Sequence, residues 1–192
     1  VEARAVLKRA IELDPGYAAA YAALAETYYL DLSMGWAQSP VATAAHVEEL
    51  AHKALSIHAD DVRARVILGR LHILHHRYEQ AKAELDRTLR ASPSDALALA
   101  GRGNVLMWMG QTEAAIQALE IAQRLDPDMN AIDRFALSMA YYLNRRYSAA
   151  IDQSELNLRR TANAHFSRIV LAAVYAQSGQ GDSAARALAV LR

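Results

Sequence analysis

The chain has 192 residues and balances 21 basic against 21 acidic side chains, which removes any long-range pull toward nucleic acid or an anionic membrane surface. It contains no cysteine, which excludes a disulfide framework and thiolate metal sites and fits a reducing, cytoplasmic setting. No apolar run approaches the roughly 18–20 residues of a membrane-spanning helix, and a composition led by Ala, Leu and Tyr with only four prolines predicts an all-α protein.

The first predicted element is a helix over 2–13, stopped by Asp14-Pro15-Gly16, because the residue before a proline is pushed out of the α region. A helix over 17–30 follows, with Tyr21, Leu24, Ala25 and Tyr28 at helical spacing for one partner face. Residues 31–42 carry Gly35, Trp36, Ser39 and Pro40 and break the pattern, so the next helix is expected only over 43–57. Two regular helices come next, over 62–75 with Leu68, Gly69 and His72, and over 78–90 with Tyr78, Ala81 and Leu85. Leu99, Gly103 and Leu106 mark another helix, with Gly110 just after it, and Ala115, Leu119 and Ala122 mark its successor. Leu137, Ser138 and Tyr141 define the next, followed by a helix opening with Tyr147 and Ala150. The last pair holds Leu171, Ala172 and Tyr175, then Ala184 and Leu188 beyond Gly179, and is expected to end in mid-helix at Arg192.

A period underlies these elements. Ala81, Leu85 and Thr88 lie 12, 8 and 5 residues before Pro93; Ala115, Leu119 and Ala122 keep those offsets before Pro127, 34 residues on. Ala3, Leu7 and Ala10 keep them before Pro15. A small, large, small triad ahead of a helix-stopping proline resembles the second helix of the tetratricopeptide repeat (TPR). The resemblance implies an all-α, right-handed superhelix, an α-α solenoid of about five helix pairs plus a partial first unit. Each pair consists of a helix A and a helix B, so five A and six B helices are expected. The units fall at 1–15 (partial), 16–60 with an insertion at 31–42, 61–94, 95–128, 129–163 and 164–192 (truncated), with one extra residue in the loop 128–131. Gly103 stands where the repeat wants a small residue for close helix approach. A helix B with no helix A before it leads to the expectation that the chain is a fragment of a longer protein.

A finer resemblance lies in the run Asp14-Pro15-Gly16-Tyr17-Ala18-Ala19-Ala20-Tyr21-Ala22-Ala23-Leu24-Ala25-Glu26-Thr27-Tyr28 with its Gly/Trp/Pro-containing insertion, and in Leu171-Ala172-Ala173-Val174-Tyr175-Ala176-Gln177-Ser178-Gly179. Both are similar to bacterial proteins that carry such an array after a nucleotide-cyclase domain or a DNA-binding regulator domain. This implies a regulatory array of a class III adenylate or guanylate cyclase-like parent. No catalytic residue of such a domain has a counterpart here.

Candidate chemistry is sparse. His72, His75 and His76 have the spacing to share a helix face, but His72 takes an aromatic packing position and the other two sit at a helix end, where a cation offsets the dipole. His46, Glu49 and His52 read first as a solvated face. Glu48 and Glu49 diverge by about 100° on a helix, too far for paired catalysis. Ser33, Ser39 and Thr43 lack a His and Asp partner, and Gly101-Arg102-Gly103-Asn104 lacks a third glycine and a strand. No cofactor, metal or catalytic role is expected.

The resemblance places a groove on the A helices. Its second, fifth, ninth and twelfth repeat positions give Arg63, Val66, Arg70 and Ile73, then Leu97, Ala100 and Asn104, then Ile132, Phe135, Met139 and Tyr142, then Phe166 and Ile169 with Gln177 nearby. Arg63, Arg70 and Asn104 would take carboxylates, and Phe135, Met139, Tyr142 and Phe166 an apolar helix or extended peptide. The alternative is that superhelical curvature buries that patch. The family's carboxylate clamp is not reproduced, since Ala22, Glu26 and Gly101 stand at positions it needs. Trp36 is expected to fold back as a plug over its helix, with an exposed contact device as the alternative. The functional expectation is a non-catalytic scaffold for a protein or peptide within a larger bacterial signalling protein; alternatives are a dimerisation or sensor region, with a homodimer as its product, and a small-ligand or catalytic module, which would need a closed pocket with convergent polar groups.

Overall fold

The computed structural model describes residues 2–161 and 164–189 and contains, among these, eleven helices and no strand. They are α1 (Glu2–Leu13), α2 (Ala18–Ser33), α3 (Pro40–Ile57), α4 (Val62–Leu74), α5 (Tyr78–Ala91), α6 (Ala96–Trp108), α7 (Thr112–Leu125), α8 (Ala131–Leu143), α9 (Tyr147–Arg160), α10 (His165–Gln177) and α11 (Gly181–Ala189). Even numbers are the expected A helices and odd numbers the B helices, an α-α solenoid. The expected run of the last helix to Arg192 and the expected boundary at 163 lie outside the described residues.

Two compact units divide within α6, between Gly101 and Arg102. In the first, α1 packs on α2, α2 on α3 and α4, and α4 on α3 and α5. In the second, α8 packs on α7, α9 and α10, and α10 on α9 and α11. Each A helix therefore touches its own B helix and, where both lie in one unit, the next A helix. Apolar faces are buried pairwise and serially.

Caps follow the sequence. Asp61, Asp95 and Asn130 precede the A helices α4, α6 and α8 and accept backbone N–H bonds from Ala64 (2.8 Å), Ala98 (2.9 Å) and Ile132 (3.0 Å). Each A helix ends in a residue of left-handed backbone: Gly35, His76, Gly110, Arg145 and Gly179, at φ 71, 56, 75, 59 and 73°. Glycine meets that demand without strain, whereas a side chain there costs about 1 kcal/mol. Arg145→Gly should accordingly raise the urea midpoint by an equivalent of about 1 kcal/mol.

The insertion is shorter as a loop than the sequence implied. Nothing breaks the helix before Gly35, so α2 continues through Ser33, and Pro40 starts α3 at a first-turn position where its missing N–H costs nothing. Only residues 34–39 remain outside helices. Trp36 is 69 % exposed, which overturns the plug: its backbone N–H donates to the Asp31 carbonyl (2.8 Å), and its side chain is left on the surface.

One size rule organises the A–B seams. Gly69 and Leu85 are sixteen positions apart, as are Gly103 and Leu119, and Ser138 and Ser154; Ala25 and Ala51 keep the relation with ten inserted residues. A Cβ on Gly103 would lie 2.5 Å from Leu119 Cγ and 3.1 Å from the Ala115 carbonyl oxygen. In these four pairs a leucine on the B helix meets a glycine on the A helix, and Ala or Ser meets Ala or Ser; in the fifth pair Ala172 stands opposite Leu188, which is 46 % exposed. These seams are the core.

Candidate functional site

In the first unit, Arg63 and Arg70 converge on Glu26. Arg63 Nη1 donates to Glu26 Oε2 at 3.1 Å, and Arg70 Nη1 lies 3.6 Å from Oε1. Arg63 is exposed, but Arg70 is only 2 % exposed, so it backs the pair rather than lining open surface. Any incoming carboxylate must compete with Glu26. Asn104, expected to face the groove, is buried instead, because its helix packs closely at that register.

His72 is half-buried on α4, with Nδ1 out of reach of a hydrogen-bond partner. Burial lowers its pKa below the ordinary 6.5, against a smaller raising effect of Glu84. The folded state thus favours the neutral ring, and the unfolded chain binds the proton first as pH falls. Stability linked to His72 is fully present above about pH 6.5 and declines as pH drops toward the lower folded value. His72→Phe should reduce the difference between urea midpoints measured at pH 8 and pH 5. Among the described residues no three His, Asp or Glu side chains converge as a metal site.

The second unit holds the apolar candidate. Ala150, Val170 and Val174 are buried between α9 and α10, and Phe135, Met139 and Tyr142 lie half-buried against them. Phe166 and Ile169 stand on the neighbouring A helix at 41 % and 45 % exposure. The Phe135 and Phe166 rings sit 5.4 Å apart at 43°, and Tyr142 lies 6.1 Å from Tyr147. The patch is therefore a half-buried floor on α8 with an exposed wall on α10. Packing covers the α8 side chains, and open surface remains on α10. Neither Phe135 nor Tyr142 can be truncated without touching the core.

Polar groups fix the spacing of those two helices. Asn157, buried on α9, donates from Nδ2 to the Ala131 carbonyl at the start of α8 and to Ser167 Oγ at the start of α10, both at 2.9 Å. It occupies the small-residue position held elsewhere by Ala122 and Thr88, so its polarity was the signal in the sequence. Tyr141 Oη donates to Glu120 at 2.8 Å; burial first, then Glu120, push its pKa far above the usual phenol range, so it is a structural donor and not an acid–base group. On α8, Arg134 is buried and reaches the Pro127 carbonyl (3.0 Å), as Arg65 on α4 reaches Ala59 (2.6 Å). These arginines brace the loops that enter their A helices.

Comparison with known proteins comes to the same architecture. Two models described as tetratricopeptide repeat match residues 42–105 and 101–165, together well over half of the chain. Among solved structures, the chain is similar to one from the APC/C hetero-tetramer Cut9-Hcn1, with a TM-score of 0.77 and 20 % identity, covering 97 % of this chain and 35 % of that one. It is also similar to YrrB, a TPR protein with an unusual peptide-binding site (TM-score 0.56, 20 % identity, 95 % and 88 % covered). A third is pilF of Pseudomonas aeruginosa (TM-score 0.60, 21 % identity, 94 % and 78 % covered). At these identities the likeness is one of fold, and no curated relative matches. With the 34-residue period, the paired helices and two matching repeat models, the chain belongs to the tetratricopeptide repeat family.

Proposed function

We propose that this chain is a non-catalytic scaffold that binds a protein or peptide, with the A-helix face of the second unit as its main contact. The observation that carries the reading is the uncharged, exposed pair Phe166 and Ile169 beside half-buried Phe135, Met139 and Tyr142. Exposed apolar side chains adjoining a packed floor suit an apolar anchor residue of a partner. YrrB, of the same fold, is a peptide binder, which supports the class of ligand. In the first unit, Arg63 with Arg70 behind it is proposed as a carboxylate contact that opens when Glu26 is displaced.

Panning a displayed random peptide library on the protein, with a Phe166→Glu variant as counter-target, tests this. Enriched peptides should share an apolar anchor and bind the variant at least about tenfold more weakly, the range of a central contact. Peptides that bind both proteins equally, or no enrichment, would remove the proposal.

We place the array within a larger bacterial signalling protein, on the strength of the run from Asp14 to Tyr28 and the 171–179 segment. A dimerisation or sensor role beside a nucleotide-cyclase-like domain is the alternative. The reading frame upstream of Val1 decides between them: a cyclase domain supports the sensor, and any other domain counts against it.

A further inference from the structure

Beyond the groove, one repeat position is unusual throughout the array. Leu30, Leu74, Trp108 and Leu143 occupy the same place near or at the end of successive A helices, and all four are exposed. Only the fifth unit has a polar residue there, Gln177. A position at the mouth of the A–B turn has no packing duty to explain large apolar side chains.

In the second unit two of these turns lie side by side. Glu113, in the first turn of α7, accepts hydrogen bonds from Asn144 Nδ2 (2.6 Å) and Arg146 Nη2 (2.9 Å), which join the turn after Trp108 to the turn after Leu143. Trp108 and Leu143 are 50 % and 49 % exposed there. Between Leu143 and Arg146 stands Arg145, exposed, in left-handed backbone, and without an ion pair among the described residues. The equivalent turns of this unit use Gly110 and Gly179. A basic side chain held at a backbone cost where glycine would serve points to use of that charge.

We infer that this edge, Trp108 and Leu143 with Arg145 beside them, docks a protein segment whose apolar residues are bordered by carboxylates. The apolar pair seats the segment's hydrophobic face, and Arg145 takes a carboxylate at its border. An anionic bilayer is the poorer occupant: membranes of that kind are held by clusters of several basic side chains, and with Arg146 paired to Glu113, Arg145 is the one unpaired cation among the described residues of this edge.

The test uses two short helical peptides with the same leucine stripe, one bordered by glutamates and one by lysines. The readout is fluorine NMR of protein labelled with fluorotryptophan. The chain has two tryptophans, so Trp36 serves as the internal control for Trp108. The glutamate peptide should shift the Trp108 signal saturably and leave Trp36 unmoved, and the lysine peptide should do neither. Arg145→Gly, which relieves the turn and so keeps the fold intact, should weaken the glutamate peptide about tenfold, the range of a lost charge-assisted contact. Phe166→Glu should leave this binding unchanged, which separates the edge from the groove. An unmoved Trp108 signal, equal binding of both peptides, full affinity in Arg145→Gly, or loss of binding in Phe166→Glu would each overturn the inference. So would Arg145-dependent binding to phosphatidylserine-containing vesicles without peptide binding, which would give the edge to a membrane.

Discussion

Gly103→Ala should destabilise the protein by about 2–3 kcal/mol, although Gly→Ala inside a helix ordinarily stabilises. The new methyl would meet Leu119 at its branch carbon, 2.5 Å away, and the Ala115 backbone carbonyl at 3.1 Å, so no flexible tip can move aside. Leu119→Ala alone should also destabilise, by about 2–5 kcal/mol, because it opens a cavity in a fully buried seam. The double variant should lose clearly less than the sum, since Ala against Ala is the pairing that Ala25 and Ala51 already use. Gly69→Ala provides the control: its nearest neighbour would be Leu85 Cδ1 at 3.4 Å, an ordinary contact, and the variant should be neutral or slightly stabilised. Urea unfolding followed by helical circular dichroism measures all four. Additive losses at 103 and 119 would show that the two residues do not share a seam.

The second large effect is expected at Asn157. Asn157→Ala places the family's small residue in α9, yet it should cost about 2 kcal/mol, because Ser167 and the Ala131 carbonyl lose a buried donor that nothing replaces. The same change frees the starts of α8 and α10, which carry Phe135 and Phe166. Peptide affinity should therefore fall at temperatures where the variant is still fully helical. If affinity follows helicity alone, Asn157 has no part in setting the groove.

Much of the architecture is legible in the sequence because it is periodic. The triads before Pro15, Pro93 and Pro127 fix helix type and order, and Gly103 announces its close neighbour. What escapes is anything that depends on neighbouring helices rather than on register. Arg70 and Asn104 hold positions that count as groove-facing, yet adjacent helices cover them. The size and apolar character of Trp36 suggest a plug, but the turn from Asp31 leaves it exposed. Pro40 has the look of a breaker in the sequence and implies a longer loop, but at the first turn of a helix it is a starter. In the second unit, the exposure of Phe166 beside the packed Phe135 is a fact of spacing set by Asn157, which no single-helix pattern contains.

Amide hydrogen exchange on the complex with a selected peptide tests the scaffold reading most directly. Binding should slow exchange in α8 and α10, the A helices that carry the floor and wall, and leave α9 and α11 close to their free rates. Protection confined to the B helices, or none anywhere at saturating peptide, would contradict it.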